Sequence, residues 1–300
     1  MEKNKGEGSM NYQIKNILWS TDFSAESLTA LNYANYLAEH FKASIKAVHV
    51  VPDFAPALYE TRAMMVADLI KRQEDLIVKA RKRLEKISAK NPIKFSKILI
   101  ETGSAGKKVP EIAEKEHCQL IAVGRKGMSA LEKILLGSVA NQILRRSKVP
   151  VLIAPKKRGQ AEIKKILVPT DFSAGEEKER DYAWTLASKL QAELTLIYVL
   201  ELYDFKFSPE EVKALMDEAL ARLQNRKKRR ANIKVDEVVI RDLNAPAGIV
   251  TYANRHKFDL ILMSTCVSPV ERFFLGSTTE KVISYATMPV LALPAAYCKT

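Results

Sequence analysis

Cysteine is scarce in this chain: three residues in 300, Cys118, Cys266 and Cys298. They are too few and too far apart for a disulfide framework or a metal knuckle, and they suit a reducing compartment. The four histidines, His40, His49, His117 and His256, have no i, i+4 pairing, which removes the usual helical zinc pattern and leaves metal ligation unassigned. No apolar run approaches the roughly 20 residues needed to cross a bilayer. Leu120 to Val123 and Val149 to Ala154 have instead the length of buried strands. The first residues are polar, with Glu2, Lys3, Lys5 and Glu7, so nothing there resembles a secretory leader, and Gly6, Gly8 and Ser9 would carry no packing face. These absences point to a cytoplasmic protein with no membrane partner. Aromatic residues are also thin, and none interrupts Arg226-Lys227-Lys228-Arg229-Arg230. That run follows a helical stretch, Pro209 to Leu223, and reads as its solvated, dipole-complementing end rather than as a nucleic-acid patch.

What is present suffices for two cores. With 47% hydrophobic residues and a length beyond what one core usually organises, two domains are expected. The formal charge of +13 favours anionic company without choosing among nucleotide, nucleic acid and lipid. The chain also repeats itself. Lys15-Asn16-Ile17-Leu18-Trp19-Ser20-Thr21-Asp22-Phe23-Ser24-Ala25 recurs at an offset of 149 as Lys164 to Ala174, with eight of eleven positions identical. Leu136-Gly137-Ser138 recurs as Leu275-Gly276-Ser277, and Val149-Pro150-Val151-Leu152 as Met288-Pro289-Val290-Leu291, now at an offset of 139. Two copies of this length, 10–156 and 163–296, indicate a duplicated domain joined by a short polar linker, Lys156 to Glu162.

Within the first copy, apolar runs alternate with helical spacing. Strands are expected at Ile14 to Ser20, Ile45 to Val51, Phe95 to Ile100, Leu120 to Gly124 and Val149 to Ala154. Helices are expected at Ala25 to Phe41, Tyr59 to Lys90, Val109 to His117 and Ser138 to Ser147, and the second copy repeats the order. Strict alternation with near-continuously apolar strands implies an α/β fold, a parallel sheet with helices on both faces.

Ligands of such sheets bind beyond the carboxyl ends of the strands. Two places there are distinctive: Ser20-Thr21-Asp22 after the first strand, and Gly124-Arg125-Lys126-Gly127 after the fourth, followed nine residues later by Gly137-Ser138 at a helix start. Glycines at 124, 127 and 137 would let main-chain N–H groups approach phosphate oxygens, with the helix opening adding its unpaired amides. Asp22 has a second reading, as a helix-capping feature with Ser24. Arg125 and Lys126 read equally as phosphate partners and as surface cations. Trp19 and Phe23 read as core residues rather than base-stacking platforms. Gly103-Ser104-Ala105-Gly106-Lys107-Lys108 lacks the spacing of a P-loop and reads as a strand-to-helix turn.

Gly-x2-Gly-x9-Gly-Ser after the fourth strand, with Thr-Asp-Phe-Ser after the first, resembles the universal stress protein family, over essentially Gln13 to Pro294. The resemblance implies a five-stranded parallel sheet of order 3-2-1-4-5 in each copy, and ATP held by the loop, with magnesium, or with ADP or AMP in its place. It implies Asp22 on the ribose or metal side, the backbone of Val50 at the adenine edge, Gly124 at the ribose, and Gly127, Gly137, Ser138 and Val139 around the phosphates. Ser20 stands where the family often has proline, which alters the adenine-side wall. The second copy departs further: Ser264-Thr265-Cys266-Val267-Ser268-Pro269 replaces the first two glycines, although Asp171, Val199, Gly276 and Ser277 remain. Side chains at Ser264 and Val267, and the missing amide of Pro269, would obstruct a phosphate.

A stress or regulatory protein that binds ATP through its first domain is therefore expected, a binding module rather than an enzyme, with slow hydrolysis compatible with the site. Protein partners are unassigned and a homodimer is compatible with the sequence. The alternatives are a nucleotide-free tandem scaffold, or an ATP-cleaving nucleotidyl-transfer relative, whose Ser-Gly-Gly run after the first strand is absent here. The last strands, from Pro150 and from Pro289, would be sheet edges, and their mutual coverage would make an internal pseudo-dimer.

Overall fold

The computed structural model describes residues 12–53, 63–127, 136–156, 161–173, 176–202, 207–225, 233–265, 276–294 and 297. The segment before Met10, most of the nine-residue interval after Gly127, most of the linker, the basic run Arg226 to Arg230 and Cys266 to Pro269 lie outside these residues.

The first copy runs β1 (Asn16–Ser20), α1 (Ala25–Phe41), β2 (Ser44–Val51), α2 (Ala63–Lys90), β3 (Phe95–Thr102), α3 (Ala105–Lys115), β4 (Leu120–Gly124), α4 (Ser138–Arg146) and β5 (Val151–Ala154). The second repeats it as β6 (Lys165–Thr170), α5 (Glu176–Leu190), β7 (Glu193–Glu201), α6 (Pro209–Asn225), β8 (Val235–Asp242), α7 (Ala245–Arg255), β9 (Leu260–Ser264), α8 (Ser277–Tyr285) and β10 (Val290–Leu293). Helix α3 opens earlier than the apolar spacing suggests. Gly103, at φ 124°, turns the chain out of β3, and the small and charged first turn, Ala105 to Lys108, carries no apolar periodicity.

Each copy is a parallel sheet of order 3-2-1-4-5, and the two merge into one ten-stranded sheet, β3-β2-β1-β4-β5-β10-β9-β6-β7-β8. The merger is the antiparallel pairing of β5 with β10, with Leu152 opposite Leu291, flanked by Ile153–Val290 and Val151–Ala292. The edges expected at the last strands thus cover each other, and β3 and β8 become the outer strands. Side-chain alternation explains why both faces are apolar. In β4, Leu120 and Ala122 enter one core while Ile121 and Val123 enter the other. One core lies under α1, α2, α5 and α6 and holds Trp19, Tyr33, Leu84, Trp184 and Leu223; the opposite core lies under α3, α4, α7 and α8 and holds Val109, Ile143, Ile249 and Ile283. Both cores run unbroken from one copy into the other. At about 1.5–3 kcal/mol for each large side chain buried, this shared interior outweighs any single polar contact between the copies.

Candidate functional site: the crevice beyond β1 and β4

Strand β1 pairs with both β2 and β4, so the loops after β1 and β4 open side by side. The loop after β1 is a closely bonded turn. Thr21 N–H donates to the Val48 carbonyl at 3.0 Å, and the Thr21 hydroxyl accepts from Phe23 N–H at 2.9 Å. Phe23 sits at φ 68°, a conformation few bulky residues adopt. Its ring lies 4.6 Å from the ring of His49, and the Arg83 guanidinium stands 4.4 Å above it. Phe23 is therefore a half-buried brace between α2 and β2, whereas Trp19 is wholly buried, its indole N–H donating to Ser27 O at 2.7 Å.

The capping reading of Asp22 is realised, and its carboxylate also borders the crevice. One carboxylate oxygen accepts the Ser24 N–H at 3.0 Å, while Ser24 itself caps α1 by accepting from Ser27 N–H at 3.2 Å. The other oxygen faces Gly127: a Cβ placed there would stand 2.8 Å from it. Gly127 and Asp22 thus meet across the crevice, at a contact only a glycine allows without moving the carboxylate. Gly124 has a different reason. A Cβ there would lie 2.7 Å from Ser27 N and 2.8 Å from the Glu26 carbonyl carbon, so its bareness seats α1 against β4.

Beyond Gly127, α4 begins with Gly137 at its N-cap, where no side chain caps the first turn. Ser138 and Val139 are exposed there, Val139 by 41%. Strand β2 continues past its last pairing with β1, Ser20↔Val48, which puts the Val50 main chain at the crevice lip; Ser20 itself is buried at the end of β1.

Two features depart from the sequence expectation. The Gly137 N–H is not bare: it donates to Arg125 O at 2.9 Å, so Gly137 closes the loop instead of offering an amide. A Cβ at Gly137 would stand 3.0 Å from that same carbonyl oxygen. Arg125, which reads from sequence as a phosphate partner or a surface cation, is neither. Its guanidinium crosses to the second copy and donates to Ala286 O at 2.8 Å, Ser284 O at 3.1 Å and Ile283 O at 3.3 Å. Burial lowers the Arg125 pKa, opposed by the nearby Glu26 carboxylate.

Sequence reasoning also missed Glu26. Only 8% exposed, it accepts the Lys126 N–H at 2.5 Å and so ties the start of α1 to the loop after β4. Its one sequence signal, an acid in the first turn of a helix, is too common to single it out.

The second copy keeps the turn and changes the crevice. Asp171 accepts from Ser173 N–H at 2.9 Å, Phe172 sits at φ 61° with its ring 4.7 Å from Tyr198, and Arg222 stands 4.3 Å above it. Ser264 replaces Gly124, and its N–H is taken by the Glu179 carboxylate at 3.1 Å, while its carbonyl accepts from the Thr279 hydroxyl at 2.9 Å. Glu179 is buried, and beside it the Glu176–Arg180 ion pair, 3.0 Å long, is nearly as enclosed. Burial, reinforced by Glu176 and Asp171 and opposed by the bonds from Ser264, pushes the Glu179 carboxyl up to about 8. Among the described residues no group of three or more His, Cys, Asp or Glu could hold a metal ion, and no helix is long and apolar enough to cross a membrane.

The sequence model of the universal stress protein family matches residues 13–155 and again 162–294. The chain belongs to the universal stress protein family. A universal stress protein of Mycolicibacterium smegmatis is 26% identical over 290 residues, covering 92% of this chain and 96% of the relative, so its tandem span is similar. One from Methanocaldococcus jannaschii is 32% identical over 147 residues, covering 48% of this chain and 84% of the relative. Among solved structures, a universal stress protein from Archaeoglobus fulgidus superposes with a TM-score of 0.68 at 23% identity, covering 95% of this chain and 99% of its own, a likeness of fold.

Proposed function

We propose that this universal stress protein binds ATP, with magnesium, in its first domain, and that occupancy of this crevice governs a regulatory response. The observation that carries the reading is the contact of bare Gly127 with the Asp22 carboxylate, beside the N-terminus of α4, which no side chain caps. A phosphate chain finds unpaired helix amides there, and a carboxylate stands by for ribose or metal. Val50 main chain would meet the base, Gly124 and Asp22 the ribose or metal, and Gly127, Ser138 and Val139 the phosphates, with Gly137 shaping the loop through its bond to Arg125 O. Magnesium would supply charge neutralisation between phosphate oxygens. ADP or AMP would fit the same base and ribose contacts with fewer phosphate ones. We read the site as a binding module rather than a dedicated enzyme.

The test is mass spectrometry of ligand released from the purified full chain, together with calorimetric titration of ATP. The expected result is an adenine nucleotide and one binding equivalent, both lost in Gly127→Val, whose side chain displaces Asp22. Two equivalents of similar affinity would contradict the assignment to one domain. The rival reading is a nucleotide-free tandem scaffold, favoured by the internal use of the Lys126 and Gly137 amides. It predicts no released nucleotide and a melting temperature unmoved by ATP.

A further inference from the structure

Arg125 occupies a junction that neither the fold nor a surface role requires. Three of its groups are committed in three directions. Its N–H donates to Ala154 O at 2.8 Å, anchoring it to β5, and its carbonyl accepts the Gly137 N–H, closing the two ends of the glycine loop upon each other. Its guanidinium reaches the carboxyl end of α8 in the other copy. That end is where three carbonyls lack partners within the helix and the dipole is negative, so a cation is favoured there. Hydrogen bonds to those carbonyls offset the desolvation that burial imposes on the guanidinium.

The contact is one-sided. On the pseudo-twofold axis, Asn141 of α4 donates to Glu280 of α8 at 3.3 Å, and these two residues correspond to each other at the offset of 139. Symmetry would demand a second arginine at position 265, reaching the carboxyl end of α4. Thr265 stands there instead, and its hydroxyl turns back to Leu293 O at 3.2 Å within its own copy. The copy with the intact glycine loop thus leans on the copy with the altered one, and not the reverse.

We propose that Arg125 is a positioning residue for the glycine loop and that α8 is its footing, so that the second domain serves as a support for nucleotide bound in the first. This rests on the nucleotide reading above. Loop closure through the Arg125 carbonyl depends on where its side chain is held, and that place is set by Ile283, Ser284 and Ala286. Nucleotide binding, which must tighten the same loop, is then felt at the carboxyl end of α8.

The test uses the full chain with Arg125→Met and Arg125→Lys, read by hydrogen exchange with and without ATP and by titration of ATP. Without nucleotide, Arg125→Met should speed exchange both at residues 137–141 and at 283–287, while β1 and β6 stay protected. Its ATP affinity should fall roughly tenfold, the scale of one charge-assisted contact. Arg125→Lys, which keeps the charge, should recover part of both effects, and in the wild type ATP should slow exchange at 283–287. Faster exchange at 283–287 alone, with residues 137–141 and ATP affinity unchanged, would reduce Arg125 to an interdomain clamp and overturn the inference. If the wild type takes up no ATP, the nucleotide reading falls, and the nucleotide-free exchange of 137–141 still decides whether Arg125 holds the loop.

Discussion

The two halves of this universal stress protein share a turn and differ in a crevice. After β1 and after β6 the chain makes the same Thr-Asp-Phe-Ser turn, with a left-handed phenylalanine between an aromatic ring and an arginine: Phe23 with His49 and Arg83, Phe172 with Tyr198 and Arg222. After β4 and β9 they part. Gly124 lets α1 close against the strand, and Gly127 leaves room for Asp22; in the other copy Ser264 is bound at both its N–H, by the buried Glu179, and its carbonyl, by Thr279. What is common to the copies braces the turn against the neighbouring helix and strand. At the matched strand ends the difference is one of packing: main chain of α1 lies against Gly124 in the first copy, whereas the Glu179 carboxyl bonds the Ser264 N–H in the second.

The largest expected effect sharpening this contrast concerns Glu179. Its folded value near 8 lies above the ordinary 4.5. A carboxyl whose pKa is raised by folding makes its full contribution to stability below its unfolded pKa, and that contribution is lost as the pH rises through the folded value. The wild type should therefore lose stability, by roughly a few kcal/mol, as the pH rises from about 4.5 to about 8. Glu179→Gln, measured by urea unfolding across that range, should flatten this dependence; an unchanged slope would show that Glu179 is ionised in the fold without cost.

Next comes the exchange of small residues at the matched strand ends. Gly124→Ala forces a Cβ against main-chain atoms of α1 and should cost about 1–3 kcal/mol in denaturant unfolding. Ser264→Gly removes a Cβ from a place built to hold one and should cost less than Gly124→Ala. Equal costs would mean that α1 and α5 seat on their strands alike, and the comparison would lose its structural basis.

The smallest effects should be the shared ones. Arg83→Ala and Arg222→Ala each remove a cation from a phenylalanine face, worth about 0.5–1 kcal/mol at such partly exposed places. Thermal melts of the two variants should shift alike. A markedly larger loss at Arg83 would indicate that the brace near the intact crevice carries more than the turn.

Much of this was legible from residue order. Alternation of apolar strands and helical spacing identified the elements, the matched eleven-residue segments identified the copies, and the change of offset from 149 to 139 fits the longer second helix of the first copy, Ala63–Lys90 against Pro209–Asn225. The glycine spacing drew attention to the crevice. The role of Glu26 was not legible, because an acid in a first helical turn is ordinary and its partner, Lys126 N–H, is 100 residues away. Nor was the destination of Arg125, whose acceptors lie 158 to 161 residues on. The Gly137 amide was misread for a related reason: spacing shows where a loop bends but not which of its own carbonyls it satisfies.

Residue order alone was enough for the repeated α/β pattern and for the positions where the main chain is bare, since periodicity and a missing Cβ are properties of neighbouring residues. It took the folded arrangement to establish that the Lys126 and Gly137 amides are used within the protein, that Glu179 takes the Ser264 N–H, and that one arginine joins the first loop to the second domain. Those outcomes depend on distances between segments far apart in the chain, which are set when β5 pairs with β10 and the two cores become continuous.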